Sequence, residues 1–439
     1  MDISEQLAHL RRTIAGIDKK YAGLPSPPPR PAVEPATAGF VEELLSGEVV
    51  ETSRGRHFET EKLYPRYQRY GSYEISDLME LSHDFLAGLS GNAILSTHPT
   101  KWAFLDTETT GLAGGSGTCA FLIGVGRVDA EGFRVRQFFM RDFNEEASVL
   151  QSLAEHLARF DVLITYNGKT FDQPLLETRY TMTRARHPFA RMEHLDLLHG
   201  ARRLFKLRLE NCRLVNLESE ILGLERDADV PGDLIPYYYF EYLRTRHAFR
   251  LIPIFHHNVL DIVTLACLTG LIPAAFNDPA NIPTRHGADL LGLARWLKVT
   301  GRLEEACRLM RRAVGIGLPD QHLFRALFEI GNLEKKLGLE DAALATFTDL
   351  SLSPNPFRSL AWQELAKYYE HREKNYAMAL ECTRAARELE DSEALARRQH
   401  RLEVRCLRAA RQASLLGRGP VPTQGRARDA RRRTPRVSV

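Results

Sequence analysis

The segment FLDTETTGL, Phe104 to Leu112, carries an apolar run up to two carboxylates that stand one residue apart. A β-strand sends alternate side chains to opposite faces, so Asp106 and Glu108 share a face. Two like charges side by side repel unless something cationic lies between them. The fold must therefore bring a cation to this strand end or leave it solvated. The surroundings argue for a sheet. WAFLDTE, CAFLIGVGRV and FRVRQFFM are three β-rich segments in succession, and DVLITYN (161–167) and MEHLDLL (192–198) are two more. Helical periodicity runs over 145–160 and 170–185. The order βββ-α-β-α-β, followed by helices, predicts an α/β domain with a mixed five-stranded sheet and flanking helices.

On either side the pattern changes. Residues 1–22 read as a short helix, and LPSPPPRPAVEP (24–35) holds six prolines and reads as an extended linker. Residues 40–75 read as irregular with short strands, including a hairpin around Ser53–Gly55. ISDLMELSHDFLAGL (75–89) reads as a helix with Ser76 as its N-cap. After about residue 285 strand signals vanish. Three helix-pair segments superimpose there, with Ala306, Ala343 and Ala379 at one position and spacings of 37 and 36 residues. Gly301, Gly338 and Asn375 mark the turn before the second helix of each pair. This pattern resembles degenerate tetratricopeptide repeats, helix pairs stacked into a solenoid. The expected divisions are 1–39 (helix and linker), 40–94 (accessory segment), 95–278 (α/β domain), 285–392 (helical repeats) and 393–439 (helix end and basic tail).

With 439 residues, 44% hydrophobic and 26% charged, the chain has the composition of a globular protein of several domains. No uninterrupted run of 18 apolar residues exists, so no membrane span is expected. The N-terminus lacks the apolar core of a secretory signal. Six scattered cysteines with no CxxC pair argue against a zinc site and for a reducing, cytoplasmic setting. A net charge of +3 says little about partners, but residues 418–439 hold seven arginines and one aspartate. That tail is expected to be disordered, as a solubilising segment or one that touches phosphates.

Three further features bear on the acid pair. YNGKTFDQPLL places Asp172 at a helix start just after a strand, where it serves as a third carboxylate or as a partner of the helix dipole. FHHNVLDIVTLACL (255–268) carries His257 and Asp261 four residues apart, hence on one helix face. An aspartate among Val259, Leu260, Ile262 and Val263 needs a partner if buried. Four carboxylates without cysteine ligands favour hard cations, Mg²⁺ or Mn²⁺. A pair of such ions, spaced about 3.5–4 Å, is the arrangement that clamps a phosphate between attacking and leaving oxygens.

The set Asp106-x-Glu108 with TTG, Asn167-x₃-Phe171-Asp172 and His257-x₃-Asp261 resembles the DEDD superfamily of 3′–5′ exonucleases, which have a ribonuclease H-like fold. More closely, DTETTGLAGGSGT, YNGKTFDQPLLETR, the long segment from LFKLRLENCR to FEYL, and HHNVLDIVTLACL are similar to the YprB-like ribonuclease H-like proteins of bacteria. Those are predicted exonucleases, often with C-terminal tetratricopeptide repeats. The resemblance covers about residues 95–275. It implies that Asp106 bridges two metals, that Glu108 and Asp261 bind the metal on the nucleophile side, and that Asp172 holds the other. The superfamily's histidine stands five residues before the last acid, or a tyrosine four before it. Here His256 is at minus five and His257 at minus four. His257 shares the helix face of Asp261 and is expected to be the general base, with His256 as the alternative.

The glycine-rich stretch 111–126 has neither GK[ST] nor GxGxxG, so it reads as a turn beside the site rather than a nucleotide cradle. Asn167 and Lys169 follow a strand end near the acids. Lys169 either pairs with a phosphate or faces solvent. Asp196 either supports the site or caps a helix. HGARRLFKLRLENCR (199–213) reads as a basic helix, with Arg202 and Arg203 candidates for phosphate-backbone contact or for a solvated face. YYYFEYL (237–243) offers aromatics for base stacking or for packing between helices. The expected function is a metal-dependent nuclease, a 3′–5′ exonuclease that hydrolyses phosphodiester bonds of DNA or RNA by a two-metal mechanism. The competing expectations are an inactive scaffold with a protein-binding helical repeat region, and a structure-specific endonuclease.

Overall fold

The computed structural model describes residues 40–111, 117–226 and 229–415. The expected helix at 1–22, the proline-rich linker and the basic tail lie outside these residues, as does 112–116 of the glycine-rich stretch. Seven strands form one sheet: β1 (Glu48–Thr52), β2 (Gly55–Pro65), β3 (Trp102–Thr109), β4 (Ala120–Asp129), β5 (Gly132–Phe139), β6 (Val162–Thr165) and β7 (Glu193–Asp196). Their spatial order is β1-β2-β5-β4-β3-β6-β7. β6 is parallel to β3 and to β7, and the remaining neighbours are antiparallel.

The five expected strands are β3 to β7, a contiguous block that runs from β5 to the edge strand β7, and the count of five is corrected to seven. The hairpin read as an accessory segment adds β1 and β2, with Phe58 opposite Phe139 and Lys62 opposite Val135. Without them β5 would be an open edge, and edges are commonly covered. Alternation in a sequence identifies a strand but does not name the distant edge it joins. A second correction concerns 75–89, where a 3₁₀ turn at Ile75–Glu80 and a series of turns replace the expected helix. Ile75, Leu78, Phe85 and Leu86 are all drawn into the core, along a path that a straight helix does not follow.

Helices cover both faces. On one side α1 (Glu146–Leu157), α2 (Asp172–Met182) and α4 (Ile235–Thr245) share a core with Ala103 and Leu105 of β3. On the other, α3 (Leu197–Phe205) and α5 (Ile252–Asn277) share a core with Trp102 and Phe104. The period-2 alternation of β3 thus assigns Asp106 and Glu108 to the α5 side. Helix α5 approaches very closely because β4 carries Gly124 and Gly126 beneath it. A Cβ on Gly124 would lie 2.2 Å from Asn258 Oδ1, and one on Gly126 would lie 2.5 Å from Ile262 Cγ2. By length and composition α5 is apolar enough to cross a membrane, but most of its residues are buried inside this fold.

Among the described residues seven helices follow: α6 (Gly287–Val299), α7 (Leu303–Ile316), α8 (Asp320–Lys336), α9 (Glu340–Leu352), α10 (Arg358–His371), α11 (Tyr376–Leu389) and α12 (Glu393–Leu415). Ala306, Ala343 and Ala379, on α7, α9 and α11, are all buried, as close helix contacts require. The core on the α5 side continues into α6, α7 and α8, and the rings of Phe276 and Trp296 lie 4.6 Å apart. The basic segment 199–213 is helical only to Phe205. Arg203 lies over the Trp296 ring at 5.2 Å, and Arg208 pairs with Asp289 on α6 at 3.0 Å.

Candidate active site

The site begins with a row across the sheet. Asp106 on β3, Gly124 on β4 and Gln137 on β5 stand in register. Because Gly124 has no side chain, Asn258 of α5 lies directly above it. Gln137 donates to Asn258 Oδ1 at 2.9 Å, which turns the Asn258 amide nitrogen toward Asp106 Oδ2 at 2.8 Å. Burial and the charges of Asp261, Glu108 and Asp172 hold Asp106 well above the usual carboxylate range, and the Asn258 hydrogen bond opposes them.

Glu108, two residues on, is pushed up to about 8 by burial, with His257 countering and Asp261, Asp172 and Asp229 adding. Asp172 is the first residue of α2. Its carboxylate accepts from Thr107 Oγ1 at 2.5 Å, which ties the helix start to the end of β3. Burial raises it to about 6, against that hydrogen bond. The loop before it is fixed by Asp196, which accepts from the backbone N–H groups of Asn167 at 2.8 Å and Lys169 at 3.2 Å. The same carboxylate caps α3 through Leu198 N–H. Asp196 thus fills both of its readings, capping α3 and holding the loop that leads to Asp172. Asn167 has φ 68°, the left-handed turn that lets the chain leave β6 for α2.

His257 sits among acids. Its Nδ1 lies 2.6 Å from Asp229 Oδ1, and its Nε2 lies 3.6 Å from Asp261 Oδ2 and 3.9 Å from Glu108 Oε1. A carboxylate only accepts, so Nδ1 carries a proton and Nε2 faces the acid cluster. Burial works against the charged imidazole, but Asp261, Glu108 and Asp229 outweigh it and raise its pKa. His256 points differently: it is exposed, and burial together with Lys62 and Arg226 lowers it.

Asp261 has a partner that its sequence context demanded but did not name. The Arg226 guanidinium binds Asp261 Oδ1 and, at 2.6 Å, Glu218 Oε2. Its side chain is only 3% exposed and that of Glu218 only 2%. Glu218 also accepts from the Tyr70 hydroxyl at 2.5 Å. Arg226, Glu218, Asp229, Asn258, Gln137 and Thr107 were all missed by sequence reasoning. Local signal was limited to Thr107, between Asp106 and Glu108, Asn258, adjacent to His257, and the acidic stretch around Asp229.

Asp106, Glu108, His257 and Asp261 line one side of a cavity of about 220 Å³, and Gly232, Ile235 and Pro236 form the other. Arg202 and Arg203 do not line it. Among the described residues no three side chains are already arranged as a metal cage. Asp106, Asp172 and Asp261 are instead turned to partners of their own, Asn258, Thr107 and Arg226, and Glu108 lies 3.9 Å from His257. The donor set nonetheless suits a hard divalent ion, since it is all oxygen plus one imidazole and its members repel one another.

A family model of the RNase H superfamily (RNase_H_2) matches residues 103–272. The chain is 33% identical to the Bacillus subtilis (strain 168) protein described as "Uncharacterized protein YprB", over 80% of this chain and 85% of that one. Among solved structures, the family B DNA polymerase of the archaeon Pyrobaculum calidifontis is similar over 46% of this chain and 30% of the polymerase, at 13% identity and a TM-score of 0.29. The chain thus spans less than a third of that polymerase. With its sheet order, its acid-bearing central strand and its match along most of YprB, the chain belongs to the YprB family and carries an RNase H superfamily domain.

Proposed function

We propose that this protein is a metal-dependent nuclease, a 3′–5′ exonuclease that hydrolyses phosphodiester bonds of DNA or RNA. One observation carries the reading: Asp106, Glu108 and Asp261 line one cavity with His257, and Thr107 ties Asp172 to the same strand end. Held in an apolar fold, such a cluster costs stability unless a cation offsets it. Asp106, Glu108, Asp172 and Asp261 would hold Mg²⁺ or Mn²⁺, two ions by the family resemblance. Bound divalent cations there would neutralise phosphate charge and ease ionisation of water.

The chain's own groups supply the rest. His257 takes a proton at Nε2 from the attacking water, with Asp229 fixing the ring by its bond to Nδ1. Asn258 and Thr107 keep Asp106 and Asp172 in position. Asn167 and Lys169, next to Asp172, are proposed strand contacts, as are Arg202 and Arg203 farther off. We read 95–278 as the nuclease unit and 285–392 as tetratricopeptide-like repeats that receive a protein partner. Linear and circular single strands, DNA and RNA, incubated with Mg²⁺ or Mn²⁺ test the reading. Degradation of the linear strands alone supports an exonuclease. Cleavage of the circles makes the enzyme an endonuclease, and no cleavage of either leaves a scaffold.

A further inference from the structure

A second hollow, of about 350 Å³, adjoins the acid cavity. The segment 229–236 contributes to both: Asp229, Val230 and Pro231 line the second hollow, and Gly232, Ile235 and Pro236 the first. The remaining walls are Tyr238 of α4, Pro253 of α5, and Phe249 and Arg250 of the connection between them. Asp229 joins the two hollows, because it also holds His257.

The lining is unusual for a solvent-facing surface. Phe249 is 75% exposed, although a phenylalanine gains from burial. The Arg250 guanidinium lies 5.4 Å from the Tyr238 ring centre and pairs with Glu241 at 2.8 Å. Within the aromatic segment 237–243, Tyr239 and Tyr242 pack in the core, whereas Tyr237 and Phe240 are 40% and 43% exposed. The segment thus divides between the packing and the exposed roles that its sequence allowed.

We propose that this hollow holds an unpaired nucleotide of a single nucleic-acid strand, next to the bond presented to the acid cavity, with its base stacked on Phe249. The proposal rests on the nuclease reading and adds to it a preference for single strands. A flat π face suits a ring left in water, and stacking of this kind accepts any base. Arg250 supplies positive charge for the phosphate beside that base. Among the described residues the one carboxylate of the lining, Asp229, is engaged by His257 and Arg226, which offsets its repulsion of a phosphate. A hollow of about 350 Å³ has room for a nucleotide and not for a duplex.

Fluorescence anisotropy with labelled oligonucleotides tests this on the full chain carrying Asp106→Ala, which keeps the strand intact. The probes are single-stranded DNA, single-stranded RNA, a blunt duplex, and a strand with abasic sites near its 3′ end. Phe249→Ala should weaken binding of either single strand by roughly five- to a hundredfold, the range of one base–aromatic stack. Phe249→Trp should preserve it. Abasic sites should weaken binding to the parent chain but make little difference once Phe249 is removed. Because Phe249 is exposed, its variants should melt with the parent, and a melting curve checks this. Equal binding by Phe249→Ala, or duplex bound as tightly as single strand, overturns the proposal. If the unsubstituted chain still cleaves strands with Mg²⁺ or Mn²⁺ in that case, the nuclease reading survives. Absence of cleavage and of binding removes both.

Discussion

The guanidinium of Arg226 is bound to the carboxylate of Asp261 while it also pairs with Glu218 and Asp229, so one buried cation serves three acids. Breaking a buried pair by removing one member costs about 3–5 kcal/mol. Arg226→Met should therefore destabilise the metal-free protein by about that amount. It also leaves Asp261 free for another cation. Thermal melts in EDTA and in Mn²⁺ should show a low melting temperature without metal and a larger Mn²⁺-induced rise than in the unsubstituted chain.

Gly124 is the space into which α5 sinks. Gly124→Ala places a methyl group 2.2 Å from Asn258 Oδ1 and 2.3 Å from Ile262 Cδ1. Overpacking of this kind typically costs about 1–3 kcal/mol. The helix must also retreat from Asp106, so turnover should fall even at temperatures where the variant is fully folded. Urea unfolding together with initial rates separates the two effects.

Asp229 stabilises the charged form of His257, along with Asp261 and Glu108. Asp229→Asn removes one of these charges, so the imidazole loses its proton at lower pH. The acidic limb of the pH–rate profile should move to lower pH, and the plateau should drop because Nδ1 is held less firmly. His257→Ala should lower the rate by about 10²–10⁴, the usual contribution of a positioned base.

Glu108 and Asp172 are raised to about 8 and about 6 from ordinary values of 4.5 and 3.8. In the unfolded chain both are ionised above about pH 5. Between those ordinary values and the raised ones the folded state binds more protons, so stability falls as pH rises. The slope is about 1.4 kcal/mol per pH unit for each proton difference. In EDTA, melting temperature should therefore decline from about pH 5 to 8. With Mn²⁺ present the ionised carboxylates are the binding form, and the decline should flatten or reverse.

Local patterns disclosed strands β3 to β7 and singled out the acids. Alternation placed β3 and its Asp-x-Glu end, and an i,i+4 spacing set His257 and Asp261 on one face of α5. What stayed hidden was pairing over distance. Nothing near residues 48–65 announces that β2 lies beside β5, and nothing near Asp261 names Arg226 as its partner. The turns at 75–89 replaced a helix because four apolar side chains answered to the core rather than to local propensity. Arg203 and Arg208 carry charge that reads as a nucleic-acid face; Arg208 pairs with Asp289, and Arg203, while exposed, also lies over Trp296, so both touch α6.

The central claim is that these acids gather divalent ions for phosphodiester hydrolysis. Its most direct test is the release of nucleotides from a 3′-labelled single strand, measured in EDTA, Mg²⁺ and Mn²⁺, with Asp106→Ala beside the unsubstituted chain. Release of the label as a mononucleotide only with metal, and none with Asp106→Ala, is the predicted result. An intact label under every condition, or equal release by the Asp106→Ala chain, would contradict the account.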